Sequence, residues 1–119
     1  MQRAQSRRAH RLEEAIMHEL GQILVTKVQD PRLEFVTISG TRLNKDLTIA
    51  EILYTHGGDD SRMREVQQGL EAAHGFLRSQ LGKALKLRYV PELRFQFDRY
   101  LEDTIHAPLE NDRRTDSEE

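Results

Sequence analysis

The chain has 119 residues, 37% hydrophobic and 32% charged, with no cysteine and a formal net charge of −2. That length suits one domain with a modest core, and the absence of cysteine excludes a disulfide framework and thiolate chemistry. No apolar run is long enough to span a membrane, and the opening Met1-Gln2-Arg3-Ala4-Gln5-Ser6-Arg7-Arg8 has no apolar signal-peptide core, so the composition points to the cytoplasm.

In chain order, Leu12, Ile16, Leu20, Ile23 and Leu24 recur at helical steps, with Glu13, Glu14, His18, Glu19 and Gln22 off that stripe. The pattern predicts a helix from near Arg8 to no later than Val28, stopped by Asp30-Pro31 because a residue before proline is pushed out of the α region. Phe35–Ser39 and Ala50–Thr55 read as two strands, joined as an antiparallel hairpin through the polar turn residues of 43–47. His56-Gly57-Gly58-Asp59-Asp60 reads as a loop, with Asp60 or Ser61 capping a second helix. That helix carries Met63, Val66, Leu70 and Ala73 on one stripe. Ala73-His74-Gly75 then predicts a sharp corner, since glycine within a helix costs ~1 kcal/mol against alanine. A third helix follows along Leu77, Leu81, Ala84 and Leu85, with Gly82 as a close-packing position. The last strand alternates Leu93, Phe95 and Phe97 with Arg94, Gln96 and Asp98, and Pro91 belongs at its start or on a sheet edge. Leu101 and Ile105 are positioned to pack back. From Pro108 the chain offers too little apolar area to order itself. The reading is therefore α+β, in the order α-β-β-α-corner-α-β, with a three-stranded sheet and three helices on one face. It divides into a domain over 1–109 and a disordered acidic tail over 110–119.

The charge is unevenly placed. Residues 110–119 carry a net charge of −3, leaving +1 for residues 1–109. Arg3, Arg7, Arg8 and Arg11 open the chain without an acid among them. Arg78, Lys83, Lys86, Arg88 and Arg94 crowd 76–94 against Glu92 alone. Two basic clusters point towards nucleic acid, although on charge alone an ordinary solvated surface is the better account. Arg78 falls at the start of the predicted third helix, where unpaired N–H groups suit phosphate. Lys86 and Arg88, near a helix end, would also stabilise its dipole whatever the protein binds.

No catalytic signature is present: no Walker loop, no G-x-G-x-x-G, no G-x-S-x-G and no H-E-x-x-H. His10, His18, His56, His74 and His106 lack ligand spacing, and neighbouring carboxylates such as Glu13 and Glu14 point apart on a helix. The corner and the two basic clusters are compatible with an RNA-contacting module, with a protein–protein adaptor using the open sheet face as the alternative. A small enzyme would need a convergent acid–base cluster.

Ordered pieces across residues 7–98 resemble the ribosome-binding factor A family. They are Arg8 and Arg11, Asp30-Pro31-Arg32-Leu33, Val36-Thr37-Ile38, Asp46-Leu47 with Ala50, Ala73-His74-Gly75-Phe76-Leu77-Arg78, Leu81-Gly82-Lys83-Ala84, and Val90-Pro91-Glu92-Leu93. The resemblance implies a type II KH-like fold in which the GXXG loop of ordinary KH domains is replaced by an Ala-x-Gly kink, here Ala73-His74-Gly75. It implies a monomeric, cytoplasmic assembly factor without enzymatic activity or cofactor. Its partners would be the small (30S) ribosomal subunit and 16S rRNA, including the 5′ region whose processing it supports. Combined with charge placement, it marks Arg8, Arg11, Ala73, His74, Gly75, Arg78, Lys83, Lys86 and Arg88 as RNA-binding candidates.

Overall fold

The computed structural model describes residues 1–99. The expected packing of Leu101 and Ile105 and the expected tail over 110–119 lie outside them. Helix α1 spans Arg7–Thr26. Ser6 caps it, its Oγ accepting from the Ala9 N–H at 3.0 Å and so satisfying a donor the helix leaves open. Its inner face comprises Ala9, Glu13, Ile16, Leu20, Ile23 and Leu24. Glu13 is thus on the buried stripe, not off it: the 9-13-16-20 spacing carries it inward.

The helix ends short of Asp30-Pro31, whose role is local. Asp30 Oδ1 accepts from the Arg32 N–H at 2.9 Å and caps a 3-10 turn, Pro31–Leu33. Proline sits at the first turn position, where its missing N–H costs nothing.

Strands β1 (Val36–Leu43) and β2 (Ile49–His56) pair antiparallel, each running longer than the composition predicted. The register shifts between Ile38 and Gly40, leaving Ser39 at a bulge from which its Oγ donates to Asp98 Oδ2 at 2.7 Å. Asn44 closes the hairpin, its Oδ1 accepting from the N–H groups of Thr48 (2.8 Å) and Ile49 (2.9 Å). Strand β3 (Glu92–Phe97) lies parallel to β2, giving the order β1-β2-β3 with β3 on an edge and Pro91 just before it.

Helix α2, Met63–Leu85, makes the crossover from β2 to β3. A 3-10 turn, Asp60–Arg62, precedes it. Asp59 caps that turn by accepting from the Ser61 N–H at 3.1 Å, and α2 itself starts without a side-chain cap, so neither Asp60 nor Ser61 has the expected role.

The predicted corner at Ala73-His74-Gly75 is absent. Alpha-helix continues through Ala73, His74 and Gly75, so two α-helices, not three, cover the sheet among the described residues. The inward stripe explains the continuity: Val66, Leu70, Ala73, Leu77 and Leu81 pass the glycine with no change of phase. Gly75 lies on the outer side with open space around it, and its φ is not positive. The ~1 kcal/mol that glycine costs a helix is small beside the burial of one long apolar face.

Both helices pack on the same side of the sheet, against Ile38, Leu43, Ala50, Ile52, Tyr54 and Leu93. Tyr54 is fully buried and donates its hydroxyl to Gln67 Oε1 at 2.5 Å, with Phe97 edge-on at 5.9 Å. Burial raises its pKa above the ordinary phenol value. Gly69 and Gly82 set close approaches: a Cβ would fall 2.9 Å from Leu33 Cδ2 at Gly69 and 2.7 Å from Val90 Cγ2 at Gly82.

Candidate nucleic-acid interface

The second half of α2 and its return to β3 hold most of the predicted site. The helix closes in a Schellman arrangement. Lys86 adopts the left-handed conformation (φ 54°), its N–H donating to the Lys83 carbonyl at 3.3 Å, and the Leu87 N–H donates to the Gly82 carbonyl at 2.9 Å. This reversal sends Arg88-Tyr89-Val90-Pro91 back along the helix.

Arg78 holds the return in place. Its Nε donates to the Pro91 carbonyl at 3.0 Å and its Nη2 to the Val90 carbonyl at 2.7 Å. Glu92 Oε1 lies 3.7 Å from Arg78 Nε and 3.3 Å from His74 Nε2. The His74 ring also meets Phe95 edge-on at 6.4 Å. Arg78 is therefore a positioning residue for the segment that carries Arg88. Because α2 is unbroken, no helix N-terminus exists at Arg78. The backbone at Arg78 therefore offers no free N–H groups of a helix start to a phosphate.

His74, Gly75, Arg78, Ser79, Arg88, Tyr89 and Val90 line an open groove of about 460 Å³. The structure thus brings together four predicted residues, His74, Gly75, Arg78 and Arg88. Ala73 turns towards the core and is half-buried, while Lys83 and Lys86 are exposed beside the groove without lining it. Sequence reasoning missed Ser79 and Tyr89. An aromatic next to Arg88 was the available signal for the latter.

Arg8 and Arg11 are exposed on the first turns of α1. The segment before them is tied to the hairpin turn: the Ala4 N–H donates to the Leu43 carbonyl at 2.9 Å and the Lys45 N–H to the Gln2 carbonyl at 2.8 Å. The Glu92 N–H donates to the Thr48 carbonyl at 2.9 Å, so β3 starts at the same turn. Both basic segments therefore meet the same end of the sheet.

Arg3 belongs to the scaffold. Its guanidinium pairs with Glu13 at 3.0 Å, and that hydrogen bond holds it above its ordinary pKa. The buried Glu13 also accepts from the Leu43 N–H at 2.8 Å, joining α1 to the end of β1. Arg32 is likewise engaged, with Asp30 at 2.8 Å, and its hydrogen bonds hold Asp30 below the usual carboxylate range. Among the described residues no group of His, Cys, Asp and Glu could hold a metal ion, and no helix is long and apolar enough to cross a membrane.

The family model for ribosome-binding factor A matches residues 8–107. A ribosome-binding factor A from Syntrophus aciditrophicus is 38% identical, with 91% of this chain and 95% of that one covered. The crystal structure of ribosome-binding factor A from Thermus thermophilus shares the fold at a TM-score of 0.69, with 23% identity over 76% of this chain and 96% of that one. A Thermus thermophilus ribosome binding factor A homology model, fitted into the cryo-EM map of its 30S complex, is similar at a TM-score of 0.56. Its identity is 23%, over 81% of this chain and 97% of that one. With its fold and most of its length matched in this way, the chain belongs to the ribosome-binding factor A family.

Proposed function

We propose that this protein binds the small ribosomal subunit and assists late maturation of 16S rRNA, including processing of its 5′ end. The observation that carries the reading is the family match over residues 8–107. The 30S complex of the Thermus thermophilus protein supports the choice of subunit. In this reading the protein acts in the cytoplasm as a monomer, with no cofactor and no chemistry of its own. Arg8, Arg11, Lys83, Lys86 and Arg88 neutralise rRNA phosphates, and the released counterions drive association. Ala73, His74, Gly75 and Arg78 shape the surface between them: Gly75 leaves the helix backbone open to approach, and Arg78 holds the return segment at a set height above it.

Co-sedimentation with 30S subunits tests the reading. Binding should be strong at low salt and weaken as salt rises. No association at low salt would sink it. Reversing charge at Lys83 and Lys86 should weaken binding and flatten its salt dependence, by roughly 0.7–0.9 in the log–log slope per lost phosphate contact. Cells lacking the protein should accumulate 16S precursor with unprocessed 5′ ends.

One observation favours a second reading, a protein–protein adaptor. The sheet face opposite the helices presents Arg42 and Glu51, paired at 3.7 Å, together with Arg94 and Gln96. Both helices pack on the other face. Association that survives complete nuclease digestion of the RNA would favour this face over the basic surface.

A further inference from the structure

We infer that Tyr89 is a stacking platform for one unpaired nucleotide of the bound RNA, with the groove beside α2 receiving that nucleotide. The inference rests on the RNA-binding reading above and adds a residue and a ligand class to it. Tyr89 is 80% exposed, the most exposed aromatic among the described residues. The fold does not use its ring: no core residue packs on it, and the segment's position comes from the Val90 and Pro91 carbonyls held by Arg78. A ring this exposed gains little from packing, so burial in the core does not explain its place there.

Its surroundings select a nucleotide. The Arg88 guanidinium carbon lies 5.6 Å from the ring centroid, so a planar cation borders the π-face. Gly75 and Ser79 form a low wall across the groove, and a Cβ at Gly75 would meet nothing within 4 Å, which leaves room for a flat group. Exposed Lys83 on α2 and exposed Lys86 just past its end stand nearby. The one acid at the groove, Glu92, is already engaged by His74 and Arg78. A planar, apolar face set among cations matches a base attached to a phosphate chain. Single-stranded RNA is recognised in this way, its unstacked bases laid on aromatic or guanidinium planes. Val90 is the aliphatic side chain that lines the groove beside the ring, and the cations around both favour a base carried on a phosphate chain over an apolar protein side chain.

The test uses full-length protein and 30S subunits. Tyr89→Ala should weaken binding about 5- to 150-fold, the loss measured for one stacked base. Tyr89→Phe should bind as wild type, and Tyr89→Leu should fall with the alanine variant because it keeps apolar area but no π-face. The salt slope should be unchanged in all three, whereas Arg88→Ala should lower it, which separates stacking from phosphate contact. Thermal melts should match wild type, since the side chain is outside the core. Ultraviolet irradiation of the complex should yield a nucleotide adduct on the peptide that carries Tyr89. Wild-type affinity in Tyr89→Ala or in Tyr89→Leu would overturn the inference, as would a protein adduct in place of a nucleotide one. Those outcomes leave the function standing if wild type still binds subunits in an RNA-dependent way. Failure of wild type to bind would remove both.

Discussion

Glu13 and Lys86 show how much of this fold depends on single residues in unusual places. Glu13 is 5% exposed and serves two donors, Arg3 and the Leu43 N–H. Removing the carboxylate leaves a buried N–H without a partner. Glu13→Ala should therefore cost about 2–3 kcal/mol, read from urea midpoints at pH 7, while Glu13→Gln, which keeps an acceptor for Leu43, should lose less. Lys86 carries the opposite signal. Its left-handed backbone is disfavoured for any residue with a Cβ. Lys86→Gly should stabilise the protein by about 1 kcal/mol, raising the thermal midpoint by roughly 4–8 °C. A lower midpoint would mean that the lysine side chain itself holds the helix end. Neither role was visible in the sequence. Glu13 lies beside Leu12 and Glu14 in a stripe that tolerates two phases, and no local pattern states that Lys86 ends a helix in a left-handed turn.

At the scale of elements, two glycines of α2 predict opposite outcomes. Gly75 is exposed and helical, with space for a methyl group. Gly75→Ala should stabilise the protein by about 0.5–1 kcal/mol. Loss of stability on that change would restore the corner that the sequence suggested. At Gly82 a Cβ would lie 2.7 Å from Val90 Cγ2. Val90 is stiff at χ1 and its carbonyl is tied to Arg78, so it yields poorly. Gly82→Ala should lose stability despite the better helix propensity, since overpacking costs about 1–3 kcal/mol. Chemical denaturation of the two variants side by side checks both signs. The strands were legible because period-two alternation in 93–97 has few rival explanations. The corner was misplaced because a glycine was weighed as a local cost, while the inward stripe ran through it unbroken.

For the whole molecule, acid is the informative variable. Asp30 is held below its unfolded value of 3.8, first by the side-chain hydrogen bond from Arg32 and then by the Arg32 N–H. A carboxylate depressed on folding adds stability that is present above the unfolded value and disappears as pH falls through the folded one. The gap in urea midpoint between wild type and Asp30→Asn should thus be present at pH 7 and shrink as the solution is taken below pH ~4. A gap that does not change with pH would mean that the Asp30–Arg32 pair contributes through shape alone. The same scale governs binding. Residues 1–109 carry a net charge of only +1, so the proposed attraction to RNA rests on where the cations stand.

The sequence by itself determined the succession of helices and strands, the hairpin, the two basic segments and the family resemblance, because each is written in local periodicity or in contiguous residues. Tertiary structure decided the rest. It made α2 one helix, turned Glu13 inward to hold Leu43, and set Arg78 to clamp Val90 and Pro91. It also brought the exposed ring of Tyr89 into the same groove as Gly75. Those outcomes depend on which distant groups come within hydrogen-bond or van der Waals distance. That is a property of the packed chain, and no window of neighbouring residues contains it.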